Sequence, residues 1–274
     1  MQYDPIKKSL GSVFNSTPWL RILFYKLLDL LLLRAWYVRK EIKRWAAEQK
    51  RGGGPGKRYI LDAGSGFGQY TYFLSGLNPG WFVDAVDVKD EQIADCNAFF
   101  AKINRKNVLF EKADLTVFSK PDRFDLILSV DVMEHIADDE AVFRNFYDSL
   151  TQKGMLVVST PSDQGGSDVH DHEEGESFID EHVRDGYNIL EIQEKLKRAG
   201  FSKTESAYTY GTAGQLAWRL SMKYPILMLN SSKLFFIILP FYYVITYPAA
   251  LLCNWLDTSS VHKTGTGLIV KAWK

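Results

Sequence analysis

The heptapeptide Asp62-Ala63-Gly64-Ser65-Gly66-Phe67-Gly68 sets three alternating glycines behind an acid. Glycines at such positions allow a tight turn and let backbone approach a ligand closely. The apolar run RYILDA leads into the heptapeptide, and a helical pattern starts at Gln69. A helix starting there directs unpaired N–H groups and the positive end of its dipole at whatever the loop holds. The ligand therefore carries an anionic or acceptor-rich part; the plain alternative is a turn with no ligand. A second acid, Asp87, ends the next apolar run roughly 20 residues further on, where a carboxylate can accept both hydroxyls of a ribose. Alone it would read as a strand-end acid facing water. Together the two features point to a nucleoside-containing cofactor.

The histidines cluster. His135 follows Glu134 directly after FDLILSVDV, while His170, His172 and His182 fall in SDQGGSDVHDHEEGESFIDEHVRDGY. An imidazole titrates near neutral pH, which makes His135 the first candidate for a general base. Capping or orienting a helix is its plain alternative. His182 and His170 are further catalytic candidates. The stretch EHVRDGY is expected to set His182 or Arg184 against the substrate, because no packing need explains a charged pair there. The plain alternative is a polar loop. His170-Asp171-His172-Glu173 contains ligating residue types, but adjacent residues lack the regular spacing of a metal site. No metal is assigned, and the stretch reads as an acidic lid.

The elements that must position these groups alternate. RYILDA, WFVDAVDV, NVLFEKAD, FDLILSVDV and GMLVVSTP are short, β-branched and bounded by Gly, Pro or Asp, as buried strands are. Residues 69–76, 91–103, 139–150 and 189–199 carry helical patterns, and Gly200 supplies a stop after the last. Strand–helix alternation implies a parallel sheet with right-handed crossovers and helices on both faces. Ligands of such sheets bind at the carboxyl ends of the strands.

The spacing of the glycines narrows the cofactor. A dinucleotide loop needs glycines at its first, third and sixth positions, but the sixth position counted from Gly64 is Gln69. Instead LDAGSGFG resembles the first motif of the class I S-adenosylmethionine-dependent methyltransferases. VDAVDV is similar to their ribose-binding strand end, and EKADL to their adenine-contacting motif. FDLILSVDVMEHI resembles the fourth motif of the small-molecule branch that includes quinone-biosynthesis methyltransferases. GMLVVSTP resembles their fifth strand, and GLIVKAW their closing strand. The likeness covers residues 58–210 and 266–273. It implies a Rossmann-like α/β fold, a mostly parallel seven-stranded sheet whose last strand is antiparallel. It also implies S-adenosyl-L-methionine as cofactor. Asp62 and the backbone of Gly64, Ser65, Gly66, Phe67 and Gly68 would hold its amino-acid portion. Asp87, with Val88 beside it, would take the ribose, Asp114 and Leu115 would border the adenine, and Val130 would lie beside the methyl-bearing half.

Bulk properties limit the rest. The 33 Lys and Arg balance 33 Asp and Glu, which disfavours nucleic acid as the main partner. Two cysteines make no disulfide framework, and MQYDPIKKSLGSVF lacks an apolar run of signal-peptide length. A cytoplasmic protein is expected. The linker GGGPG separates an N-terminal helical segment, residues 1–51, from the core, residues 52–210. From about Trp19 to Ala47 one helix is expected. Arg21, Lys26, Asp29, Arg39, Lys40, Lys43 and Arg44 share its charged wedge, Arg34 is the outlier, and Leu23, Leu27, Leu30 and Leu31 mark its apolar side. A solvated basic face over core packing is the plain reading, and an anionic surface the alternative.

A hydrophobic insertion, residues 211–265, precedes the returning strand at 266–274. Its run LFFIILPFYYVITYPAALLCN contains no charge and has the length of a bilayer span. The sixth strand ends, and the antiparallel seventh begins, at the carboxyl edge. A single crossing is therefore incompatible with pairing of GLIVKAW. Pro240 and Pro248 are expected to break the run into helical pieces. Tyr242, Tyr243, Tyr247 and Trp255 suit a water–lipid boundary. With the N-terminal segment the insertion is expected to form an α-helical cap, either packed on itself or presenting an apolar mouth to a hydrophobic or lipid-like small-molecule substrate and to a membrane surface. O-methylation of that acceptor is slightly favoured. Two rivals are a membrane-associated binding protein of the same fold without activity, and an NAD-dependent oxidoreductase, which Gln69 disfavours.

Overall fold

A computed structural model describes residues 17–51, 56–165, 183–232 and 234–274. The strands are β1 (Arg58–Ala63), β2 (Trp81–Asp87), β3 (Val108–Lys112), β4 (Phe124–Val130), β5 (Leu150–Pro161), β6 (Lys203–Thr209) and β7 (Gly267–Trp273). They form one sheet in the order β3-β2-β1-β4-β5-β7-β6. Pairs among the first five are parallel, and β7 runs antiparallel to both β5 and β6.

Period-two alternation divides the core between the two faces of the sheet. Leu61, Ile127, Leu156, Val158 and Val270 pack on one side with Val142, Phe146, Ile192 and Leu196. The last four belong to α5 (Asp139–Ser149) and α6 (Ile189–Ala199). Ile60, Val83, Leu126, Leu128, Val157 and Ile269 pack on the other. Strands buried on both faces read as continuous apolar runs, which is why the sequence exposes them so clearly. The short α3 (Gln69–Ser75) and α4 (Asp90–Lys102) follow β1 and β2.

The single N-terminal helix expected from the sequence is two helices, α1 (Pro18–Leu31) and α2 (Leu33–Arg51), with Leu32 extended between them. They do different work. Tyr37, Val38, Ile42, Trp45 and Ala46 of α2 are buried in the second core cluster, so α2 covers a sheet face. Helix α1 is turned the other way from the sequence reading. Arg21 and Tyr25 point inward and are buried, while Leu23, Leu27 and Leu30 are exposed.

The insertion forms α7 (Thr212–Trp218), a π-helical turn (Arg219–Lys223), α8 (Tyr224–Ser231) and α9 (Phe235–Ser259). It leaves and returns at one edge, since Thr209 at the end of β6 pairs with Gly267 at the start of β7. Pro240 and Pro248 do not break it: both lie inside the 25-residue α9. Each proline removes one helical hydrogen bond, and the helix is held across that region by its tyrosines. Tyr242 and Tyr243 donate to the carbonyls of Leu220 and Ser221, each at 2.8 Å, and Tyr247 donates to that of Leu30 at 2.7 Å. Further along, the wholly buried Asp257 accepts from Tyr37 Oη at 2.6 Å and from the Gly214 N–H at 2.8 Å, joining α9 to α2 and α7.

Candidate active site

The loop Gly64–Gly68 lies between β1 and α3. Gly64, Gly66 and Gly68 have φ of 81°, 51° and 83°, values that exclude most side chains. The N–H groups of Gly64 and Ser65 both donate to the Val86 carbonyl at 2.9 Å, which fixes the loop against the end of β2. Asp87 is held beside it. One carboxylate oxygen accepts from the Gly66 N–H and the other from the Lys89 N–H, each at 2.9 Å. Each oxygen keeps a lone pair for a further donor, the arrangement a vicinal diol requires.

Two observations fit a ligand over this loop. A Cβ added to Gly66 meets only Gln92 Oε1, at 3.9 Å, so the space above that glycine is open. Ser65 Oγ is buried and has no hydrogen-bond partner among the described residues, although buried hydroxyls are normally paired. Gly64 is different: a Cβ there would collide with Val132, so its need is packing inside the protein. Asp62 is buried, and its carboxylate accepts from Thr71 Oγ1 at 2.5 Å. Burial, aided by the charge of Asp87 and opposed by Thr71, pushes its carboxyl up to about 7.

The other expected site residues occupy distinct surroundings. Val88 is exposed beyond β2, and Phe67 is exposed with its ring against Phe24 and Tyr25. Asp114 is exposed after β3. Its carboxylate accepts from the Thr116 N–H at 2.9 Å and from the Thr116 hydroxyl at 2.7 Å, bonds that hold it below the usual carboxylate range. The Leu115 side chain points into the core, which leaves only its backbone on the loop side. Val130 ends β4. His135 is exposed in a 3₁₀ turn, Met133–His135, immediately beyond. His170, His172 and His182 lie outside the described residues.

Arg184 is engaged within the protein. Its guanidinium pairs with Asp139, donates to Tyr187 Oη at 2.5 Å and donates to the Ile136 carbonyl at 2.8 Å. The packing need that the sequence concealed is Asp139, a buried acid at the start of α5 that requires a counter-charge. Lys195 supplies a second at 2.8 Å.

Sequence reasoning missed two groups of residues at this edge. The first comes from α1: Arg21 and Tyr25 both donate to the Phe67 carbonyl, at 2.7 and 2.5 Å, and Asp29 accepts from Gln69 Nε2 at 2.9 Å. Helix α1 thus grips the glycine loop from behind. The second surrounds Asp131, which directly follows Val130 with a φ of 50° and pairs with Arg34. The Arg34 backbone N–H in turn donates to Tyr210 Oη at 3.0 Å. The available signal was Arg34 itself, the one charge outside the wedge.

Residues 61–156 match the family model described as a methyltransferase domain. Over this stretch the chain is similar to methyltransferase domains, and the seven-stranded sheet with its antiparallel β7 agrees with that likeness. Families of this type take S-adenosylmethionine as methyl donor, and the open cradle over Gly66, the unpaired Ser65 hydroxyl and the pinned Asp87 fit that group. Phosphoethanolamine N-methyltransferase of Triticum aestivum is 32% identical over 149 residues, 54% of this chain and 28% of the relative. Malonyl-[acyl-carrier protein] O-methyltransferase of Bacillus anthracis is 30% identical over 111 residues, 40% of each chain. The chain thus spans well under half the length of these curated relatives. Among solved structures, Haemonchus contortus phosphoethanolamine N-methyltransferase 2, in complex with phosphomonomethylethanolamine and S-adenosylhomocysteine, aligns with a TM-score of 0.56. Its identity is 20%, and the alignment covers 84% of this chain and 52% of that one. The [4+2]-cyclase SpnF aligns with a TM-score of 0.55 at 16% identity, over 85% and 80% of the two chains. Likeness at this level carries the fold alone, and the fold is one that a methyltransferase and a cyclase both have.

Proposed function

We propose that this chain transfers a methyl group from S-adenosylmethionine to a small hydrophobic or lipid-like acceptor, with an oxygen as the favoured acceptor atom. The observation that carries the donor half is the glycine cradle: open space at Gly66, an unpaired buried hydroxyl at Ser65 and a carboxylate at Asp87 held by backbone N–H groups. The donor supplies a sulfonium-bound methyl, so the protein's contribution is mainly alignment of the acceptor with the S–CH₃ bond. Asp62 and the loop backbone hold the donor's amino-acid portion, Asp114 and Leu115 border the adenine, and Val130 lies near the methyl. His135 takes the proton of an acceptor hydroxyl as general base. His170 and His182 complete the candidate set.

The hydrophobic acceptor rests on the insertion, which starts and ends at the carboxyl edge of the sheet and carries a largely exposed apolar helix. The same reading makes the protein cytoplasmic, with the cap toward a membrane surface. Its relatives' names include both an N- and an O-methyltransferase of small or carrier-bound acceptors, which supports methyl transfer without choosing the atom. Incubation with methyl-labelled donor and a total lipid extract is the test. Label entering the organic phase is expected; label passing only to water-soluble acceptors would overturn the hydrophobic acceptor.

A further inference from the structure

Helix α9 is apolar but largely uncovered. It is long and apolar enough to cross a membrane, yet only 6% of its most apolar window is buried. Ile237, Phe241, Val244, Ile245, Leu252 and Trp255 are all more than half exposed, Phe241, Val244 and Ile245 at 70%, 75% and 78%. Exposure of that many contiguous large apolar side chains marks a binding surface. The opposite side of the helix is anchored by Tyr242, Tyr243, Tyr247 and Asp257, so the exposed stripe has a fixed orientation. Tyr247 bonds the Leu30 carbonyl, which brings α9 beside the end of α1, whose Leu23, Leu27 and Leu30 also face outward.

The charge distribution selects the occupant. The whole chain is neutral, but residues 18–51 hold nine Lys and Arg against three Asp and Glu, and residues 211–265 hold four against one. The elements around the apolar stripe are therefore basic and the remainder of the chain acidic. Cations border α9 at two places. The turn Arg219–Lys223 adjoins Tyr242 and Tyr243, and a cavity of about 440 Å³ lined by Asp29, Trp36, Arg39, Lys40, Lys43 and Thr258 adjoins its C-terminal end. In that cavity Arg39 is paired with Asp29 and Lys40 is tied to the Thr258 carbonyl. Lys43 is exposed and has no ion-pair partner among the described residues.

We propose that α9 and the outer leucines of α1 lie in the plane of an anionic phospholipid surface, with lipid phosphates received by the cations around Lys43. An apolar stripe flanked by basic residues binds such a surface by burial and charge together. Crossing the bilayer is excluded, because both ends of the insertion are bonded into one edge of the sheet. The inference deepens the reading of the cap as membrane-facing, and rests on it.

Flotation of the full chain with vesicles tests it. Binding is expected to phosphatidylcholine vesicles containing phosphatidylglycerol, to be weak with phosphatidylcholine alone, and to fall with added salt. Phe241→Asp with Ile245→Asp is expected to reduce flotation at least about tenfold. Lys43→Glu with Arg44→Glu, on an exposed helix face, is expected to reduce it about fivefold or more with anionic vesicles only. No flotation of the unaltered chain with anionic vesicles overturns the proposal. So does equal flotation of the Asp variant, or a change from dimer to monomer in that variant while the unaltered chain ignores vesicles, which would make a second copy the occupant. S-adenosylhomocysteine titration of the same variants separates the two readings: binding retained with flotation lost leaves the proposed methyl transfer standing.

Discussion

The buried guanidinium of Arg21 donates to the carbonyl of Phe67 at 2.7 Å, so the first helix reaches into the back of the glycine loop. The same side chain bonds Tyr25 Oη at 2.7 Å and Asp95 at 2.5 Å, and lies over the Phe99 ring at 4.5 Å. The polar side of α1 is thereby directed inward and its leucines outward. Arg21→Ala leaves Tyr25 alone on the Phe67 carbonyl and removes a charge-assisted network worth about 2 kcal/mol. Affinity for S-adenosylhomocysteine should weaken on the order of tenfold, and thermal stability should fall. Calorimetry on the two proteins reads both, and an unchanged affinity would show that α1 does not shape the loop.

Gly66 and Gly64 should fail in different ways. Gly66→Val places a side chain in open space, so ligand binding should be lost, with stability lowered mainly by the backbone strain of its positive φ, about 1–2 kcal/mol. Gly64→Ala drives a methyl into Val132, so stability itself should fall. Melting curves beside ligand titrations distinguish the two; equal loss of stability in both would contradict the assignment of Gly66 to the ligand.

Asp62 should make stability depend on pH. Its carboxyl sits at about 7 in the fold against an ordinary value of 3.8, with burial the main cause. Between these values the folded chain keeps a proton that the unfolded chain has released, so stability falls as pH rises from about 4 to about 7. The loss is complete above that window and amounts to a few kcal/mol. Asp62→Asn removes it. Melting temperatures of the ligand-free proteins should therefore diverge in favour of the variant between pH 5 and pH 8. Parallel profiles would show that Asp62 carries no such shift.

Asp257 should hold the insertion in place. It is wholly buried and joins Tyr37 on α2 to the N–H of Gly214 on α7. Asp257→Ala leaves the Gly214 N–H unpaired and Tyr37 Oη with only the carbonyl of residue 257, a loss of about 1–3 kcal/mol. Limited proteolysis should then cut between residues 211 and 265 before the core. Unchanged resistance would contradict the anchoring role.

The core was legible because its strands are buried on both faces and its loop depends on glycine; β1 and α6 fall where the sequence predicts them. The N-terminal pattern misled for a physical reason. Periodicity separates polar from apolar sides but does not say which side faces inward, and Arg21 buries its charge among Asp95, Tyr25 and the Phe67 carbonyl. The break at Leu32 carries no Gly or Pro and leaves no local mark. Proline was over-read at Pro240 and Pro248, where tertiary bonds from three tyrosines sustain the helix. The packing need at Arg184 went unseen because its partner Asp139 lies 45 residues away, beyond any local pattern.

Isothermal titration of the full chain with S-adenosylhomocysteine tests the central claim most directly. Saturable binding of one ligand per chain, lost in Gly66→Val, is the predicted result. No binding by the folded chain, or binding of NAD in its place, would contradict it.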